Sequence, residues 1–171
     1  MTLTVEDGTG LVDAESFVSV ANADTYHSNR GNTTWATLTT AQKEEDLRRA
    51  TDYMEQVYRS RWAGIRKTTT QALSWPRYDV PLEDVGYGYA YYDSDSVPQI
   101  VKNACAELAL KAAAGELAPD IEQRVKREKV DSLEVEYADY GSQYTQYRAI
   151  DNMLLPVLSS VGGAFRKVVR A

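Results

Sequence analysis

At 171 residues with a formal net charge of −6, the chain is sized for one domain burying about 70% of its unfolded surface. It is too acidic for a general nucleic-acid binder, which carries a basic face. One cysteine excludes an internal disulfide and suits a reducing compartment. No apolar run approaches the roughly 20 residues that cross a bilayer, and MTLTVEDGTG lacks the order of a secretory signal, so no membrane partner is expected.

Residues 3–18 read as a short extended arm with a turn at Gly8 and Gly10, and Ser19 caps a first helix over about 20–29 that ends at Gly31. Trp35 and Leu38 fall in a connector. Thr39 and Gln42 have the spacing of a capping box, with Glu44, Glu45 and Asp46 in the first turns. Leu47, Ala50, Thr51, Met54, Val57 or Tyr58, and Trp62 then recur at helical spacing as one buried face, with Gly64 as a stop. The opposite face carries Lys43, Arg48, Arg49, Asp52, Glu55 and Arg59 and reads as solvated.

A loop of about thirty residues, 64–96, follows; loops of that length in a compact domain are functional or partly disordered. Within it, QALSWPR places Trp75 and Pro76 as a structural anchor, together with Trp62, and Arg77 is expected to meet a carboxylate. Ser96 caps a third helix with Pro98 in its first turn. Its apolar stripe is Ile100, Val101, Ala104, Cys105, Leu108 and Ala112, and Gly115 and Pro119 close it. Over 124–137 the period changes: Leu133, Val135 and Tyr137 alternate with Glu134 and Glu136, a strand in a protruding hairpin arm with Lys126, Arg127 and Lys129. A fourth helix spans about 149–159 with Pro156 bending or ending it, and Gly162-Gly163 precedes FRKVVRA. The expected fold is mainly α, a small bundle of about four helices with a long loop, a hairpin arm and two tails. As one domain over 1–171, it has a core of about 19–160, an amino-terminal arm 1–18 and a carboxy-terminal tail 161–171.

Catalytic constellations are weak. His27 is the only histidine, with no G-x-S-x-G elbow to accompany it, and one Cys with one His makes no ordinary zinc site. Asp93-Ser94-Asp95-Ser96 starts like a calcium loop but has Ala104 where the twelfth-position glutamate belongs. Cys105 lies on an apolar stripe, and nothing desolvates Glu134/Glu136 or Glu83/Asp84. Gly86-Tyr87-Gly88 lacks the sequence of a phosphate loop. No enzyme activity, metal or cofactor is expected.

Two features point to partners. Tyrosine is abundant, 12 against two phenylalanines, and favours protein–protein contacts; Tyr87, Tyr89, Tyr91, Tyr92 and Tyr137 are interface candidates. Charge is also segregated, with five acids and one base in 77–95 against seven bases and five acids in 43–67. Acidic 77–95 is complementary to the basic stretches 59–67 and 166–170. Lys126, Arg127, Lys129, Arg166, Lys167 and Arg170 are candidates for contacts between chains. Against this stands the set Trp62, Arg66, Lys67, Trp75 and Arg77, which has the ingredients of a stacking platform for single-stranded nucleic acid.

In order, VEDGTGLVDAESFVSVANADTYHSNRGN, TTAQKEEDLRRATDYMEQ, TQALSWPR, VPQIVKNACAELALKAA, VKREKVDSLEVEY and FRKVVRA resemble the head-to-tail connector, or adaptor, proteins of tailed bacteriophages. The resemblance implies a helical subunit in a ring of twelve beneath the portal, where a ring contact joins two different surfaces, acidic 77–95 meets basic 59–67 or 166–170 of the next subunit, and the basic residues named above contact subunits or the portal. Its partners would be further copies, the portal, tail or tail-completion proteins, and genomic double-stranded DNA that passes without sequence-specific binding. It also implies residence in the virion neck after assembly in the host cytoplasm. The YGYAYYDSDS insertion departs from the family pattern. Similar sequences are often labelled DnaT-like single-stranded-DNA-binding proteins, so a replication accessory is the alternative.

Overall fold

A computed structural model of the protein describes residues 2–82, 84–85, 90–119, 127–130, 133–136 and 146–159. The fold is mainly helical. In chain order it contains α1 (Val20–Ser28), α2 (Thr33–Ala36), α3 (Thr40–Tyr58), β1 (Ile65–Arg66), β2 (Arg77–Tyr78), α4 (Gln99–Ala112), β3 (Arg127–Val130), β4 (Leu133–Glu136) and α5 (Arg148–Leu154). A 3-10 turn, Leu155–Val157, follows α5.

α3 begins where the capping box requires. Gln42 N–H donates to Thr39 Oγ1, and Thr39 N–H donates to Gln42 Oε1, satisfying two amides that the first turn leaves open. Leu47, Ala50, Thr51, Met54 and Tyr58 are buried and pack mainly against α4, whose Val101, Ala104, Cys105, Leu108 and Ala112 are buried in turn. Alanines on that stripe let the two helix axes approach. α1 and α5 complete the core against α4.

Several expected boundaries move. The Trp35 connector contains a helical turn, α2. α3 ends at Tyr58, so Trp62 reaches the core from the loop beyond it. α4 starts after Pro98 with no side-chain cap, because Ser96 belongs to a turn in which Asp95 N–H donates to Asp93 Oδ1. The 64–96 loop is partly built: β1 and β2 pair antiparallel with Ile65↔Tyr78 and Arg66↔Arg77, and Pro81 bridges Tyr91. α5 ends at Leu154, and Pro156 sits in the 3-10 turn. β3 and β4 form the expected hairpin, whose register sets Arg127 across from Glu136 and Lys129 across from Glu134.

The face of α3 read as solvated is a docking face. Lys43 pairs with Asp24 at 2.8 Å, Arg48 with Glu15 at 3.0 Å, and Arg49 donates to the Ala112 and Gly115 carbonyls at the end of α4. The segment expected as an extended arm lies on the body, with Val5 bridging Ser16 and with Phe17 and Val18 buried. Glu6 closes its turn by accepting from the Gly8, Gly10 and Leu11 amides, each at 2.9 Å. Gly8 is required there: φ is 103°, and a Cβ would stand 2.0 Å from the Asp95 carbonyl oxygen.

Tyrosines, whose abundance pointed to partner contacts, also enter the core. Tyr26, Tyr53 and Tyr58 are buried, and Tyr92 and Tyr147 pack against them or their neighbours. Burial is tolerated because hydroxyls find acceptors: Tyr26 donates to Glu107 at 2.9 Å, Tyr58 to Asp151 at 2.8 Å and Tyr147 to the Leu117 carbonyl at 3.1 Å. Burial followed by the Glu107 hydrogen bond pushes the Tyr26 pKa up to about 12.

Candidate functional site

Two neighbouring regions carry the candidate residues, a clasp over 62–77 and a ribbon that pairs 77–82 with 65–66 and 90–92. The clasp forms because the chain must turn back under itself after α3. Gly64 makes the turn at φ 67°, where a Cβ would lie 2.1 Å from the Tyr78 carbonyl oxygen. Gln71 organises the loop between β1 and β2. Its amide nitrogen donates to the Leu73 and Pro76 carbonyls at 2.9 and 3.1 Å, and its oxygen accepts from Thr68 N–H at 2.7 Å.

Glu55 of α3 holds the next residue with both oxygens, accepting from Ser74 N–H and Ser74 Oγ at 2.7 Å each. Trp75, joined to Pro76 by a cis peptide bond, is fully buried and meets Trp62 edge-on at 5.8 Å. Arg77 then fans across three carbonyls, with Nε on Ala63 and Nη2 on Gly64, both 2.7 Å, and Nη1 on Ser74, 3.1 Å. The expected carboxylate partner is replaced by this carbonyl set, because the turn at 63–64 points unpaired oxygens inward. Burial first, then repulsion from Arg66, lowers the Arg77 pKa, and Glu55 opposes the shift.

The stacking-platform reading of this set meets a geometric obstacle. A base needs an exposed aromatic face and a phosphate needs an available cation. Trp62 and Trp75 are buried against each other, Arg66 donates to the Gln71 carbonyl, and Lys67 donates to the Gly8 carbonyl and pairs with Asp95. Trp35 is buried too, with Nε1 donating to Asp24 at 2.7 Å and its ring 4.7 Å from that of His27. Lys67 thus ties together three segments of one chain.

The ribbon has the opposite exposure. Ile65, Tyr78, Val85 and Tyr91 are exposed, as are Asp79, Asp84 and Asp93. Tyr92 faces inward, and burial followed by Asp84 raises its pKa. Arg127 and Lys129 lie on β3. Tyr87, Tyr89, Lys126, Tyr137, Arg166, Lys167 and Arg170 lie outside the described residues.

The remaining candidates are internally satisfied. His27 is buried between Asn32, which donates to its Nδ1, and the Ala106 carbonyl, which accepts from its Nε2, each 3.0 Å away. Burial lowers its pKa, and the neutral ring fits this pairing. Burial pushes the Cys105 thiol up to about 11, so it is a poor nucleophile. Among the described residues no group of three or more His, Cys, Asp or Glu could hold a metal, and no helix is long and apolar enough to cross a membrane. A cleft of about 390 Å³ is lined by residues that include Asp24, Trp35 and Lys43, and Asp24 already accepts from both of the others.

A family model matches the chain over residues 1–171, and its description reads "Putative DnaT-like ssDNA binding protein". The chain belongs to that family. Searches of curated proteins and of solved structures find no match. The family description agrees with the second of the two readings of the sequence, the DnaT-like one, and nothing in the comparisons points to a head-to-tail adaptor.

Glu55, Gln71 and Ser74 escaped sequence reasoning. Helical spacing put Glu55 on an outer face, and no local pattern reveals that a loop later folds onto that face. Ile65 and Tyr78 were equally hidden, because their shared exposure follows from a cross-strand pairing.

Proposed function

We propose that this family member is a non-enzymatic assembly subunit, a head-to-tail adaptor that rings the DNA channel below a phage portal. One observation carries the reading: the tryptophans and cations best suited to grip a nucleic acid are committed to the chain's own backbone and carboxylates. What faces solvent in the adjoining ribbon is tyrosine, aliphatic side chain and carboxylate, while Arg59 and Arg61 are exposed at the end of α3. An acidic surface repels phosphate and leaves a passing duplex mobile, while exposed tyrosines suit contacts with like subunits. Its partners on this reading are further copies, twelve by the sequence resemblance, together with the portal and tail proteins in the virion neck.

The second reading is a single-stranded-DNA-binding replication accessory, favoured by the family description. One pair of experiments separates the two. An adaptor is present in purified particles, is visible as a ring at the neck by electron microscopy, and shifts a labelled oligonucleotide negligibly at about 0.15 M salt. A replication accessory is absent from particles and binds that oligonucleotide, with log affinity falling linearly against log salt as counterions are released. Tight binding combined with absence from particles overturns the adaptor reading.

A further inference from the structure

We infer that the ribbon of residues 77–82 and 90–92, with Ile65 and Val85, is a docking surface for the carboxy-terminal segment FRKVVRA, residues 165–171, of a second copy of this chain. The inference deepens the assembly reading and rests on it. Four of the six exposed large apolar side chains among the described residues fall here, Ile65 at 62%, Tyr91 at 53%, Val85 at 48% and Tyr78 at 41%, whereas the other two, Val12 and Leu155, lie in separate segments. Ile65 and Tyr78 are cross-strand partners, so their side chains share one face. Chain continuity through Asp79 leads to a second ribbon, where Tyr92 N–H donates to the Val80 carbonyl, Leu82 N–H donates to the Ala90 carbonyl, and Pro81 bridges Tyr91. Val80 points into the core and Tyr91 away from it. An exposed apolar cluster with a polar rim marks an interaction surface.

The rim is one-sided in charge. Asp79, Asp84 and Asp93 are exposed, whereas Arg66, Lys67 and Arg77 are turned onto carbonyls or Asp95. A complementary partner is therefore cationic with apolar side chains. Residues 59–67 are a poorer source, because three of their four cations, Arg61, Arg66 and Lys67, already bond within their own chain. Residues 165–171 contain Arg166, Lys167 and Arg170 with no acid, interleaved with Phe165, Val168 and Val169.

The chain's course favours a neighbour over self-docking. Leu158 bridges Trp62 antiparallel, and Ser159 N–H donates to the Arg61 carbonyl at 2.7 Å. The backbone therefore leaves residue 159 heading toward residue 60 and away from Ile65. The twelve residues 160–171 span at most about 40 Å, which covers the chain's own ribbon as well, so sedimentation decides between the two.

The test uses the full-length R166E/K167E/R170E chain as receptor and a fluorescent peptide of residues 160–171 as probe. Expected are saturable binding that weakens with salt and a loss of at least tenfold in affinity with Asp79→Asn, Asp84→Asn and Asp93→Asn combined, or with Tyr91→Ala. These sites are exposed, so unchanged melting of each variant confirms folding, and Asn tolerates the positive φ of Asp79. Absence of saturable binding, or binding indifferent to these changes, overturns the inference. In sedimentation, the wild-type mass should rise with concentration and that of the charge-reversed chain should not. A wild-type chain that stays monomeric while the peptide binds overturns the second copy as occupant, because the tail then docks on its own ribbon. A silent peptide with the protein still present in the neck removes this contact alone; absence from particles removes the adaptor reading whatever the peptide does.

Discussion

The clasp and the ribbon adjoin at Arg77–Tyr78 and treat the same kinds of residue in opposite ways. In the clasp, aromatic rings and cations point inward: Trp75 onto Trp62, Arg77 onto three carbonyls, Ser74 onto Glu55. In the ribbon, tyrosines and carboxylates point out. A residue's chemistry thus does not decide its role here. Direction does, and one step along β2 reverses it, since alternate residues of a strand face opposite sides.

Breaking the clasp should cost the most. Trp75→Ala removes a fully buried ring and is expected to lower stability by about 3–5 kcal/mol, read as a drop in urea midpoint with loss of near-ultraviolet signal. Arg77→Met leaves three inward carbonyls without their donor and should cost about 3 kcal/mol by the same measurement. Glu55→Gln replaces a carboxylate that uses both oxygens and is expected to cost about 1–2 kcal/mol. A Glu55→Gln chain as stable as wild type would break the picture of a loop pinned to α3.

pH sharpens the contrast from the buried side. His27 is the only histidine, and burial lowers its pKa below the ordinary 6.5. The unfolded chain therefore binds a proton more readily than the folded one. Its contribution is fully present above about pH 6.5 and is lost as the pH falls toward the lower folded value. Urea midpoints should decline from pH 7.5 to 5.5, and the imidazole resonances of the folded protein should titrate below pH 6.5. Asp46, whose pKa burial raises, contributes with the opposite sign toward the carboxylate range.

The smallest effect on folding belongs to the ribbon. Tyr91→Ala and Asp93→Asn alter exposed side chains and should change stability by less than about 0.5 kcal/mol each in thermal melts. A large loss at either position would make the ribbon part of the fold instead of a surface offered to a partner.

The sequence alone determined the strongly periodic parts. α3 and its capping box, the apolar stripe of α4, and the β3–β4 hairpin were legible because their signals are local: spacing along one helix, a cap within three residues, alternation along one strand. The burial of Trp62 was also readable, from its place on the apolar register. Tertiary structure alone decided what the residues of the clasp touch. Arg77 meets carbonyls because Gly64 folds the chain beneath β2, Glu55 is covered because the 67–76 loop returns to α3, and Lys67 reaches Gly8 across 59 positions of sequence. Such contacts depend on where distant backbone groups end up once the core has closed, and neighbouring residues carry no record of that.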